Sequence, residues 1–136
     1  MQLPLHQTMV DNADCLPGLL LGFAKVVQEH FYAPEHIHFQ RLLIQVLVQK
    51  PELYATLKQR PTGRVLQTLE AILKQYQEQG RVQLDNPTLQ ATAFLGAVMG
   101  YPLPAALIDQ QPMDSHVLEQ LAHSAVKTFL IAWRYH

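Results

Sequence analysis

Apolar residues recur along this chain at intervals of three and four, and no stretch alternates strictly between apolar and polar positions, so the pattern predicts helices and no strands. A first helix is expected over residues 17–32, with Pro17 at its opening position and Leu20, Phe23, Ala24, Val27 and Phe31 on one face. Pro34 then restarts the chain. Residues 36–50 are apolar on most of the circumference, with Arg41, Gln45 and Gln49 as a thin polar line, which predicts a central helix. A short helix over residues 51–60 opens with Pro51 and Glu52 and closes with Lys58 and Arg60, matching the helix dipole at both ends. Residues 62–79 form a long amphipathic stretch with Val65, Leu69, Ile72, Leu73 and Tyr76 inward, a Glu70 to Lys74 pair outward, and Gly80 as a left-handed cap. Residues 101–114 are punctuated by proline and predict a connection with one helical turn at 105–108. A last helix starts near Asp114 or Ser115 and runs through Tyr135, apolar over more than half of its circumference. That is wider than one core contact requires.

The stretch LDNPTLQATAFLGAVMG, residues 84–100, adds a different signal. Asn86 reads as an N-cap and Pro87 as the first helical residue. Beyond them Leu89, Ala93, Gly96, Ala97 and Gly100 fall on one stripe, almost without side chains. Each glycine inside a helix costs about 1 kcal/mol, and the usual compensation is close approach of another backbone. Together with the wide apolar surface of the last helix, the stripe predicts a four-helix interface built from two helices of each of two identical chains.

Composition narrows the picture. At 136 residues the chain is one domain by length, and 49% apolar residues are enough for a substantial core. The periodic segments make it an all-α, antiparallel bundle of about six helices, with residues 1–14 as a tail or the remnant of an upstream linker and 15–136 as the folded domain. Ten basic and eleven acidic residues, without a dense basic cluster, leave no footprint for a polyanion. A single cysteine, Cys15, excludes an internal disulfide, and no secretory signal pattern opens the chain, so a cytoplasmic location is expected. The uncharged stretch between Asp85 and Asp109 is long enough to span a bilayer, but Pro102 and Pro104 interrupt it and no basic flank orients it, so no membrane partner is expected.

Candidate chemistry is sparse. His30, Tyr32, Arg41, Gln45, Tyr54 and Tyr76 lie on or beside apolar faces, where a pocket would carry its orienting polar groups; the plainer reading makes them hydrogen-bonded core or surface-edge residues. Tyr54 and Tyr76 suit a pocket best, and Met99 suits a flexible wall. His116, Glu119 and His123 share one helical face with metal-ligand spacing, but no matching carboxylate and histidine set faces them, so neither a metal nor another cofactor is expected. Ser115, Ser124 and Cys15 lack any nucleophile context, and no glycine-rich phosphate loop is present. The chain reads as a non-enzyme. The alternatives are a helical-bundle metalloenzyme on that histidine face or an assembly module without ligand.

The order of RLLIQ, PELY, QEQGRVQLDNPTLQATAFLG and a closing AVKTFLIAW resembles the C-terminal ligand-binding and dimerisation domain of TetR-family transcriptional regulators over residues 17–134. The resemblance implies a homodimer and a small, mostly apolar ligand in a cavity among the first, second and fourth helices. Candidate ligand residues are then Phe23, Val27, His30, Arg41, Gln45, Tyr54, Tyr76 and Met99. Candidate interface residues are Leu89, Phe94, Gly96, Ala97, Leu121, Ala125 and Phe129. Family members contact DNA through an N-terminal helix-turn-helix, and nothing in this sequence corresponds to one, so DNA is a partner only through such a head.

Overall fold

The computed structural model describes residues 15–57, 61–100, 102–109 and 113–136, and among them it contains seven α-helices and no strand. These are α1 (Leu16–Tyr32), α2 (Pro34–Gln49), α3 (Tyr54–Leu57, entered from a 3-10 turn at Pro51–Leu53), α4 (Pro61–Glu78), α5 (Pro87–Met99), α6 (Pro102–Asp109) and α7 (Ser115–Ala132). Residues 1–14, together with Lys58, Arg60 and Tyr101, lie outside the described residues.

Local chemistry sets the boundaries. Ala33, preceding Pro34, adopts ψ 138° and separates α1 from α2, as the steric demand of a following proline requires. Gly80 takes φ +74°, a left-handed conformation suited to glycine beyond the end of α4. The Asn86 side chain accepts a hydrogen bond from the Leu89 amide at 3.1 Å, and Asp114 accepts one from the His116 amide at 2.9 Å, so both later helices carry side-chain caps. The connection after α5 is more ordered than its prolines suggested. Pro102 and Pro104 both fall in the first turn of α6, where an amide has no intrahelical partner to lose, and the helix runs on to Asp109.

Helix α1 lies in the middle of the bundle, packed against α5 and α7, with Leu16, Leu19, Leu20, Phe23, Ala24 and Val27 buried. Helix α4 closes the other side of α5 through Val65, Leu69, Leu73 and Tyr76. Phe94 of α5 meets Phe129 edge-on with ring centres 5.6 Å apart, and Trp133 joins them while its indole N–H donates to Gln90 Oε1 at 2.9 Å. The chain end is tied down: the Gln83 amide donates to Trp133 O at 2.8 Å, the His136 amide to Arg81 O at 3.1 Å, and the Arg81 guanidinium lies against the Tyr76 and Tyr135 rings.

Helix α2 departs from its expected central place. It packs on α1 and α6 and buries only Ile37, leaving Phe39, Leu42, Ile44, Val46 and Val48 exposed. An apolar circumference shows that a helix can be covered on most sides; it does not show that its own chain supplies the cover. Polar side chains hold α2 and α6 in position. Gln40 donates to Phe31 O at 2.7 Å, and Arg41 donates to the Leu107 and Ile108 carbonyls at the end of α6. A second, smaller core of Tyr32, Ile37 and Ala106 fills the corner between α1, α2 and α6.

Candidate interface and ligand cleft

The bare stripe of α5 divides in two. At its end, φ of Gly100 is +82°, a backbone conformation that demands glycine, and a Cβ there would also stand 2.5 Å from Cδ2 at the tip of the Leu121 side chain. Helix α7 of the same chain presses on that point. At Gly96, by contrast, nothing among the described residues beyond its own helix turn comes within 4 Å of where a Cβ would be. Leu89 is 63% exposed, and Ala93 and Gly96 are open to solvent. On α7, helical phase puts Val117, Gln120, Ser124, Thr128 and Ile131 on the flank beside the α5-facing residues. All five are exposed. The combined face is low in profile and free of charged side chains. Of the expected interface positions, Leu89 and Gly96 lie on this open face, Ala97, Leu121 and Phe129 are half-buried beside it, and Phe94 and Ala125 are buried beneath it in the packing of α5 against α7.

The opposite flank of α7 lines an open cleft of about 490 Å³ against α1. Leu21, Lys25, Gln28, Glu29 and Tyr32, with Ala33, form one wall at helical spacing; Ser115, Leu118, Glu119, Ala122 and His123 form the other. Gln28 joins the walls. It is buried, and its amide nitrogen donates to Val98 O at 3.0 Å and Leu118 O at 2.9 Å, tying α1 to both α5 and α7. The Tyr32 hydroxyl donates to Met99 O, and burial raises its pKa above the ordinary phenol value. Glu119 and His123 approach to 4.0 Å on the α7 wall. Among the described residues no group of three histidine, cysteine or carboxylate side chains is placed to hold a metal ion; of the face carrying His116, Glu119 and His123, the last two line the cleft.

The eight expected ligand residues are not gathered in that cleft. Phe23, Val27 and Tyr76 are buried in the main core, Gln45 and Tyr54 are on the surface, and Arg41 is engaged with the end of α6. Met99 is half-buried, with its carbonyl accepting from Tyr32. His30 lies beside Phe31 and His36, with the two imidazole centres 4.7 Å apart. Desolvation, and then the neighbouring His36, lower the His30 pKa below the ordinary histidine value. The sequence does not single out the cleft residues Lys25, Gln28 and Glu29, because an i, i+4 polar pair on a helix ordinarily marks a solvated face. Gln28 was the available signal, a polar residue beside the apolar face running from Leu20 to Val27.

The sequence matches a family described as AefR-like transcriptional repressor, C-terminal domain, over residues 18–135. The chain belongs to this branch of the TetR-family C-terminal domains. A TetR-family transcriptional regulator from Mesorhizobium loti MAFF303099 has the same fold, with a TM-score of 0.78 at 19% identity. The match covers 94% of this chain and 65% of that one, so the chain spans less than two thirds of that regulator. No curated protein matches. The TetR family comprises regulators and not enzymes, and Cys15, the one cysteine, is exposed. No single described helix of this TetR-type domain is long and apolar enough to cross a membrane; α5 and α6 would reach that length only as a pair bent by 49°, and α5 buries Ala91, Phe94 and Val98 in the core.

Proposed function

We propose that this domain is the homodimerising, small-molecule-sensing part of a cytoplasmic transcriptional regulator, and that it sets the spacing of two DNA-binding heads. The observation that carries the reading is the uncharged α5 and α7 face, with Gly96 uncovered at its centre. Gly96 lies inside α5, where glycine costs about 1 kcal/mol relative to alanine unless another helix profits from the missing side chain, whereas Gly100 sits at the C-cap in a backbone conformation that suits glycine. Leu121 profits at Gly100. A second copy, related by a twofold axis, would profit at Gly96 and complete a four-helix interface.

The α1 and α7 cleft is the candidate ligand site, in place of a cavity among the first, second and fourth helices. Its 490 Å³ falls in the range of small-molecule pockets. Helix α7 presents one flank to the cleft and another to the proposed interface. A ligand with different affinity for two settings of α7 would therefore shift the population of two dimer geometries.

Gly96→Leu tests the dimer. Replacing an exposed glycine inside a helix should raise the helical stability of each chain by roughly 1 kcal/mol, while a side chain at the centre of the interface should dissociate the dimer. A melt that is unchanged or improved at low concentration, together with a monomer by light scattering, is the expected pair of results. A dimer of unchanged affinity would contradict the interface.

A further inference from the structure

The geometry points to a hinged lid: α2 and α6 open together, as one body, while α1, α4, α5 and α7 stay folded. The interior is already divided for such a motion. Tyr32, Ile37 and Ala106 are buried in a small core of their own, and among the described residues only half-buried Phe31 packs on both that core and the main one. Helices α2 and α6 pack chiefly on each other and on α1. Arg41 of α2 donates to the Leu107 and Ile108 carbonyls, which clamps α2 to the end of α6.

Both points of attachment are chemically complete without the lid. Gly100 caps the end of α5, and Pro102 stands where the amide donor for the Val98 carbonyl would be. Gln28 and Tyr32 of α1 donate to the Val98 and Met99 carbonyls instead, so the end of α5 keeps its partners when α6 leaves. Helix α1 closes on the Ala33 amide, which donates to Glu29 O at 3.3 Å. Ala33 at ψ 138° and Gly100 at φ +82° are then two non-helical joints, one at each attachment. The Gln40 side chain joins α2 to the Phe31 carbonyl across the first joint, and the outer face of α2 is exposed. Under the lid lie Tyr32 and Leu118, which also line the cleft between α1 and α7. Opening therefore uncovers residues at one end of that cleft; its service to a ligand rests on the sensor reading, whereas the opening itself does not.

Native-state hydrogen exchange of the full chain, followed by NMR at low urea, tests the lid without a ligand. The slowest amides of α2 and of α6 should share one opening constant, at least about 10-fold larger than that of the slowest amides in α1 and α5, with a weaker urea dependence because less surface is exposed. Val65→Ala, on the buried face of α4, should speed exchange in the main bundle on the order of 10-fold, as expected for two buried methyl groups, and leave α2 and α6 unchanged. Separate opening constants for α2 and α6 in the unmodified chain would overturn the lid. So would α2 and α6 amides that respond to Val65→Ala together with the rest of the bundle. Neither result would touch the sensor reading, which dimer and ligand measurements decide.

Discussion

Helices α2 and α5 both turn apolar surface away from the bundle, and they do so in opposite ways. Helix α2 presents bulk: Phe39, Leu42, Val46 and Val48 stand between 46% and 77% exposed. Helix α5 presents almost no side chain at Ala93 and Gly96, with Leu89 at one edge. The two surfaces have different physical meanings. A large side chain covers its own backbone and gains from any apolar cover, whatever its shape. A bare stretch of helix gains little unless another backbone reaches it, because dispersion contacts vanish across a gap. The small-residue surface is therefore the more specific of the two, and it borders an equally uncharged flank of α7.

Substitutions can sharpen this comparison, starting with the core beneath α5. Phe94→Ala, at a fully buried ring packed on Phe129 and Trp133, should cost about 3–5 kcal/mol in denaturant unfolding. Phe39→Ala, at a half-exposed ring on α2, should cost less than about 1 kcal/mol in the isolated chain. Equal losses would mean that α2 is covered after all. Gln28→Leu comes next, because it removes the donor shared by Val98 O and Leu118 O and leaves the buried Val98 carbonyl, in the last turn of α5, without that partner. A loss of roughly 1–3 kcal/mol is expected from the same measurement. Retained stability would show that the α1 and α7 contact does not depend on that bond.

The smallest expected effect is on pH dependence at the α1 and α2 junction. His30 has a lowered pKa in the fold, so the folded state binds fewer protons there than the unfolded chain. Its contribution to stability is full above the ordinary value of 6.5 and is lost as pH falls through the lowered folded value. His30→Gln should flatten the stability profile below pH 6.5. An identical acid slope in that variant would assign the proton uptake to another group.

Much of the fold was legible because its boundaries are set by local chemistry. Asn86 and Asp114 cap helices through their own side chains, Pro34 forces Ala33 out of the helix, and Gly80 takes a conformation that few other residues tolerate. The inward face of α4 followed from spacing alone, and the Glu70 to Lys74 pair forms at 2.9 Å. The place of α2 was not legible, since periodicity reports which residues avoid water and not which helix shields them. The cleft was hidden for a related reason. Lys25 and Glu29 on α1 and Glu119 and His123 on α7 look like two separate solvated faces until the bundle sets them opposite each other. Gln28, a polar residue beside the apolar face of α1, is buried only because its amide reaches the Val98 and Leu118 carbonyls of two other helices, a contact that the spacing within α1 does not reveal.

The central claim is the symmetric interface on α5 and α7, and sedimentation of the unmodified chain across a dilution series tests it most directly. The account predicts a species of twice the 15.5 kDa chain mass at micromolar concentration, dissociating only on strong dilution. A species of single chain mass at every concentration would leave Gly96 uncovered in solution and contradict the account.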